Sequence, residues 1–192
     1  MLKIKFLDEK EEFLQSKNKE YKNDTLISII SYSIASFLYC GWDYTVDPQG
    51  FKTAFLFRML MLLTPLFYYI PYKYTDNYKV LSRSIFLAMF YLLILYLFVV
   101  KNLYNGVNYS LNGFIIYNAS LVIVSYGMPF KYILSHLILG FIVPVILDLL
   151  FFKNTISYNM YMTVIPIIMI SCIIISYALH FSYYEKYTLQ KN

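Results

Sequence analysis

Six ionisable side chains stand inside or at the edges of long apolar runs: Asp43, Asp47, Arg58, His136, Asp148 and His180. Their types and spacing are the ones in this chain able to do chemistry. A charge at bilayer depth costs about 2.5–3.5 kcal/mol on insertion scales, so such groups persist where they pair, snorkel or meet a ligand. Arg58 follows Asp43 by fifteen positions and Asp47 by eleven. With a helix starting near Phe51, Arg58 falls about 10 Å along it. From there it can pair with Asp43 or Asp47, reach outward to lipid phosphate, or receive a carboxylate or phosphate of a ligand. Asp148 falls near the outer end of a later run, on the same side as Arg58. Asp43, Asp47, Arg58 and Asp148 are therefore the candidate ligand-binding or gating residues.

His136 and His180 fall toward the opposite face, where no carboxylate or cysteine completes a metal or haem site. Each reads as a hydrogen-bonded helix-packing residue, and neither a metal nor a cofactor is expected. Ser125 does not make a nucleophile with His180. The chain reads Ile123-Val124-Ser125-Tyr126-Gly127, without the Gly-x-Ser arrangement of intramembrane serine proteases. There is no HExxH motif, no phosphate-binding loop and no paired intramembrane aspartate motif. No residue is assigned a catalytic role, and the chain is not expected to be an enzyme.

The elements that must position these groups follow from composition. Of the 192 residues, 59% are hydrophobic and 14% charged, against about 25% charged in ordinary soluble domains. Six runs are long and apolar enough to cross a hydrocarbon core about 30 Å thick: 26–42, 54–72, 85–100, 111–128, 132–150 and 160–181. The expectation is an all-α membrane protein, a bundle of six transmembrane helices. A polar segment, 1–24, precedes the six-helix domain at 25–184, and a polar tail follows at 185–192. Residues 1–24 carry acids and lysines ahead of any apolar run, which is not the order of a signal peptide. Cys40 and Cys172 lie inside runs and read as buried, inert thiols.

Charge asymmetry orients the bundle. With the N-terminus inside, the inner segments hold twelve lysines and arginines and the outer ones three, plus Arg58 just within the second run. Both termini are then cytoplasmic, in a bacterial inner membrane. The net charge of +5 is read as this flanking asymmetry and not as a nucleic-acid surface. Aromatic anchors agree: Trp42 closes the first run, and Tyr183, Tyr184 and Tyr187 mark the inner end of the last. Asp47-Pro48-Gln49-Gly50 and Asn105-Gly106 read as turns, and Pro129-Phe130-Lys131 as a tight hairpin between the fourth and fifth runs. Pro65, Pro144 and Pro166 fall within runs two, five and six and are expected to kink them.

The segment Cys40-Gly41-Trp42-Asp43, a short loop with Pro48, then Phe51 to Arg58 and an apolar helix resembles the opening of six-helix MASE-like membrane sensor modules. Such modules precede class III adenylate cyclases, diguanylate cyclases and some histidine kinases. There a small residue and an aspartate end the first helix, and an arginine follows about fifteen positions on, one or two turns into the second helix. Gly41, Asp43 and Arg58 stand in that relation here. The resemblance implies a sensor domain that binds a small hydrophobic or outer-face ligand, or reads the state of the membrane. It implies a homodimer in the lipid bilayer, signalling through its last helix to a cytoplasmic cyclase or kinase output domain outside these residues. A quinone, a fatty acid and a sterol-like molecule all remain open as ligands. The alternatives are a small transporter or channel subunit, which the apolar middles of the runs support poorly, and a structural subunit of a membrane complex.

Overall fold

The computed structural model describes residues 11–104, 106–152 and 158–191. Every regular element in it is helical: α1 Glu11–Leu38, α2 Cys40–Val46, α3 Phe51–Met61, α4 Thr64–Tyr74, α5 Tyr78–Asn102, α6 Gly106–Val124, α7 Phe130–Leu147 and α8 Tyr158–Lys191. A short 3-10 turn, Ser125–Gly127, follows α6, and a π-helical turn, Asp148–Phe152, follows α7. Among the described residues, five stretches are long and apolar enough to cross a membrane: Glu11–Val46, Phe51–Tyr74, Tyr78–Asn102, Phe130–Leu150 and Tyr161–Gln190. The described apolar part of α6, Gly113–Val124, is shorter. The turn at Asn105 and the loop at 153–157 lie outside the described residues.

α5 is the centre of the bundle. Ile85, Met89, Leu92, Tyr96 and Val99 line one face of it, and Ala88, Leu95, Leu97 and Val100 are buried beyond that face, the pattern of a helix largely enclosed by its neighbours. α3 and α4 pack along it, and α6 and α7 cover its other flank. The outer helices are built the other way round. α1 exposes Ile27, Ile30, Ile34 and Leu38, α7 exposes Ile138, Ile142 and Ile146, and α8 exposes Ile167, Ile170 and Ile174. These are apolar stripes at helical spacing that face outward. In water they would form unfavourable contiguous patches; against acyl chains they are matched. The protein is a membrane protein.

The prolines show how the bundle keeps its backbone hydrogen-bonded without water. Pro65 lacks the N–H that would bond Met61, and the helix breaks at Leu62–Leu63. Thr64 Oγ1 donates to the Met61 carbonyl at 2.6 Å, and the Tyr91 hydroxyl donates to Leu60 at 3.0 Å. Pro144 deprives Gly140 in the same way. Here α8 supplies the missing donor: the Tyr161 hydroxyl bonds the Gly140 and Phe141 carbonyls at 3.2 and 3.0 Å. α7 then widens into the π turn at Asp148, as helices do where their ladder is disturbed. Pro166 is carried inside a continuous α8. Tyr161→Phe is expected to lower stability by about 0.6–1.7 kcal/mol, the range of interhelical hydrogen bonds in membranes. The loss should shrink in a Pro144→Ala background, where the alanine N–H serves Gly140. Equilibrium unfolding in mixed micelles measures both.

α1 reaches further than the apolar run at 26–42. It is helical from Glu11, and Phe13, Leu14, Lys17 and Asn18 are buried. Its lower turns pack on the far end of α8. Phe13 rings meet Tyr183, Tyr184 and Tyr187 at centroid distances of 5.6, 5.5 and 5.4 Å. α8 in turn stays helical through residues 182–191. The two polar ends thus form one extension of the bundle.

Candidate functional site

Arg58 is carried one turn before the end of α3, and Asp43 opens the short helix α2. The connecting turn fixes their separation. Asp47 Oδ1 accepts the backbone N–H groups of Gln49 and Gly50 at 3.0 Å each, and Oδ2 accepts that of Tyr104 at 2.8 Å. Gly50 is required there, because a Cβ would come within 2.3 Å of the Asn102 carbonyl. The turn is therefore tied to the end of α5. The Gly50 amide, followed by that of Tyr104, holds the Asp47 carboxyl below the usual carboxylate range. A depressed native pKa stabilises the charged form. The contribution is present above the unfolded value, about 3.9, and is lost as the pH falls through the lower native value. Protection of the Gly50 and Tyr104 amides from hydrogen exchange, taken relative to the intrinsic rate at each pH, should be high at neutral pH and fall in acid, whereas in Asp47→Ala it should be low throughout.

Asp43 and Arg58 face each other across this turn and are buried, with side-chain exposures of 3% and 4%. Nε donates to Oδ2 at 2.7 Å and Nη2 to Oδ1 at 3.0 Å, the bidentate fork that makes such pairs strong and directional. Nη1 donates to the Ser36 carbonyl of α1 at 3.0 Å and lies 3.9 Å from the Met61 sulfur. The guanidinium also stands 5.5 Å from the Tyr39 ring centroid and 5.8 Å from that of Tyr96, within cation–π range. Arg58 thus joins α1, α2, α3 and α5 at one point. Of the partners open to it by sequence, the structure takes Asp43.

Beside this pair is a cavity of about 180 Å³. α1 supplies Tyr32, Ala35 and Ser36 to its wall, Tyr39 is added from the turn before α2, and Arg58 and Tyr96 complete the inner side. α6 closes it with Gly113 and Ile116. Gly113 makes room for the Tyr96 hydroxyl, which would lie 2.3 Å from a Cβ at that position. Ala35 and Ile116 are exposed on the lipid-facing side.

The structure separates the four sequence candidates. Asp43 and Arg58 come together at the cavity. Asp47 spends its oxygens on the turn. Asp148 is fully buried at the end of α7 and lines neither the pair nor the cavity. The two histidines are packing residues with partners. His136 meets the Tyr117 hydroxyl, which also donates to the Met89 carbonyl at 3.0 Å, so α5, α6 and α7 share one polar node. His180 receives a partner that sequence reading missed, Lys17. Lys17 Nζ lies 2.7 and 3.0 Å from the two ring nitrogens of His180 and donates to the Met128 carbonyl at 3.2 Å. Asn18 Nδ2 donates to the Gly127 carbonyl at 3.3 Å. Together they cap the carbonyl end that follows α6, where a cation is favoured by the helix dipole. Glu20 adds an ion pair to Lys186 at 2.6 Å and accepts from the Tyr183 hydroxyl at 3.1 Å. The signal for this contact was present in the helical spacing of Phe13, Leu14, Lys17 and Tyr21.

Among the described residues no group of three or more His, Cys, Asp or Glu side chains could hold a metal ion. What the arrangement offers is a charge-neutral polar floor beneath a small aromatic cavity, within a bundle of lipid-facing helices. The apolar, lipid-facing helices make this a multi-pass helical membrane module. The MASE8 family model matches residues 41–192, and the chain belongs to that family. The matched region contains Asp43, Arg58, Tyr96, Gly113 and His180, while α1 precedes it. No curated protein and no solved structure matches the chain.

Proposed function

We propose that this MASE8 chain is the sensing part of a bacterial inner-membrane receptor, with six crossings and both ends in the cytoplasm. A small ligand occupies the cavity beside Asp43 and Arg58. The signal leaves along α8 toward a nucleotide cyclase or kinase domain, within a homodimer. The observation that carries this reading is the span of α1. One face of it, with Tyr32, Ala35 and Ser36, walls the cavity. The same helix holds α8 through Lys17 and Glu20. Ser36 and Lys17 are nineteen residues apart, about 28 Å at 1.5 Å per residue. A tilt of α1 on ligand binding is therefore delivered to α8 at the opposite end of the bundle. The occupant biases the equilibrium only by its differential affinity for the two tilts.

The test is a cyclase domain fused behind Asn192. Asp43→Ala and Arg58→Ala should each shift its output by about fivefold or more, the lower bound of ordinary allosteric coupling. Unchanged output in both variants removes the proposed site. A reporter in the same position fixes the orientation, and activity on the far face would reverse it.

A further inference from the structure

The ligand class of this site is open, and its geometry narrows it. The inference rests on the sensor reading above and goes on to what the cavity accepts. First, size: a cavity of 150 Å³ lined by apolar side chains holds benzene, so one of about 180 Å³ holds a single substituted ring. Second, charge: the Arg58 guanidinium is already neutralised by a bidentate carboxylate. A carboxylate or phosphate entering beside it would leave an uncompensated negative charge in a low-dielectric site. Third, hydrogen bonding: a guanidinium has five N–H donors. Asp43 takes two, the Ser36 carbonyl one, and the Met61 sulfur is a weak partner for another. Among the described residues one Nη2 hydrogen is left over, available to a neutral acceptor in the cavity that Arg58 lines. Fourth, access: the mouth at Ala35 and Ile116 lies on the lipid-facing side, so the route in is from the acyl chains. The tyrosine rings of the wall favour a flat partner.

We propose that the site binds the ring head of a neutral, lipid-soluble carbonyl compound of the single-ring quinone class, its carbonyl oxygen accepting from Arg58 and its aliphatic tail lying in the bilayer past Ala35. A free carboxylate lipid does not fit the charge of the floor.

The chain has a single tryptophan, Trp42, next to Asp43, and quinones quench indole fluorescence. The full chain in lipid nanodiscs is titrated with decylplastoquinone, a dimethylbenzoquinone with a decyl tail. The expected result is saturable quenching of Trp42, lost in Ala35→Phe, which plugs an exposed position at the mouth. Ile116→Phe serves in its place if Ala35→Phe does not fold. Decanoate should not compete. Quenching that is non-saturable and identical in the plugged variants overturns the proposal, as does competition by decanoate. The two readings fail separately. If Ala35→Phe shifts the output of the fused cyclase while the quinone binds without saturation, the ligand class is wrong and the sensing site stands. If the plugged variants leave the output unchanged as well, both are wrong.

Discussion

Arg58→Met is expected to destabilise the bundle by about 3–5 kcal/mol, because it leaves the Asp43 carboxylate buried without its counter-ion. Both side chains are almost fully enclosed, and both Asp43 oxygens receive their hydrogen bonds from the one guanidinium. Neither can turn to water when the other is removed. The cost belongs to the orphaned charge and not to the pair, since a buried ion pair is often no more stable than well-packed apolar residues of similar volume. The double variant Asp43→Leu, Arg58→Met should therefore recover most of the loss. Reversible unfolding in mixed micelles gives both numbers. A double variant as unstable as the single one would mean that the pair itself stabilises the fold, and that function is not needed to explain its presence.

Lys17→Met should uncouple the cavity from α8. The methionine keeps most of the packing volume but removes the contacts to His180 and Met128. In the cyclase fusion, plugging the cavity with Ala35→Phe should change output about fivefold or more in the native background. With Lys17→Met, the same plug should change it by less than about twofold, since coupling of 1–3 kcal/mol is then largely lost. Glu20 and Lys186 still pair in that variant, but such half-exposed pairs are worth about 0–1 kcal/mol and cannot carry the coupling alone. A plug effect of the same size in both backgrounds would route the signal through other contacts.

The apolar runs were readable because lipid imposes length and composition on each crossing, and α7 and the α3–α4 pair follow them closely. The Asp43–Arg58 pairing was readable as one of three choices. Two charges fifteen residues apart across a turn have few other ways to lower their cost in a membrane. Asp47 looked equivalent to Asp43 from spacing alone. What distinguishes them is the turn itself: Asp47 is committed to Gln49, Gly50 and the distant amide of Tyr104, a contact no local pattern reveals. By sequence Lys17 is only one of the twelve inner lysines and arginines that orient the bundle. Its burial depends on residues 127, 128 and 180, brought to it only by the whole bundle. The cavity was hidden for a related reason. It exists because Ala35 and Gly113 are small, and absent side chains leave no periodic signal until the helices that carry them are set side by side.

α1 is the proposed rigid link between cavity and α8, and a distance across the bundle tests that link most directly. Spin labels at Tyr74→Cys and Leu189→Cys, both exposed, with Cys40 and Cys172 replaced by alanine, report α8 against α4 by pulsed electron resonance. Introducing Ala35→Phe should move that distance by about 1–2 Å, the scale of helix shifts in switching bundles, and adding Lys17→Met should abolish the movement. A distance that does not respond to the plug, or that responds equally without Lys17, contradicts the account.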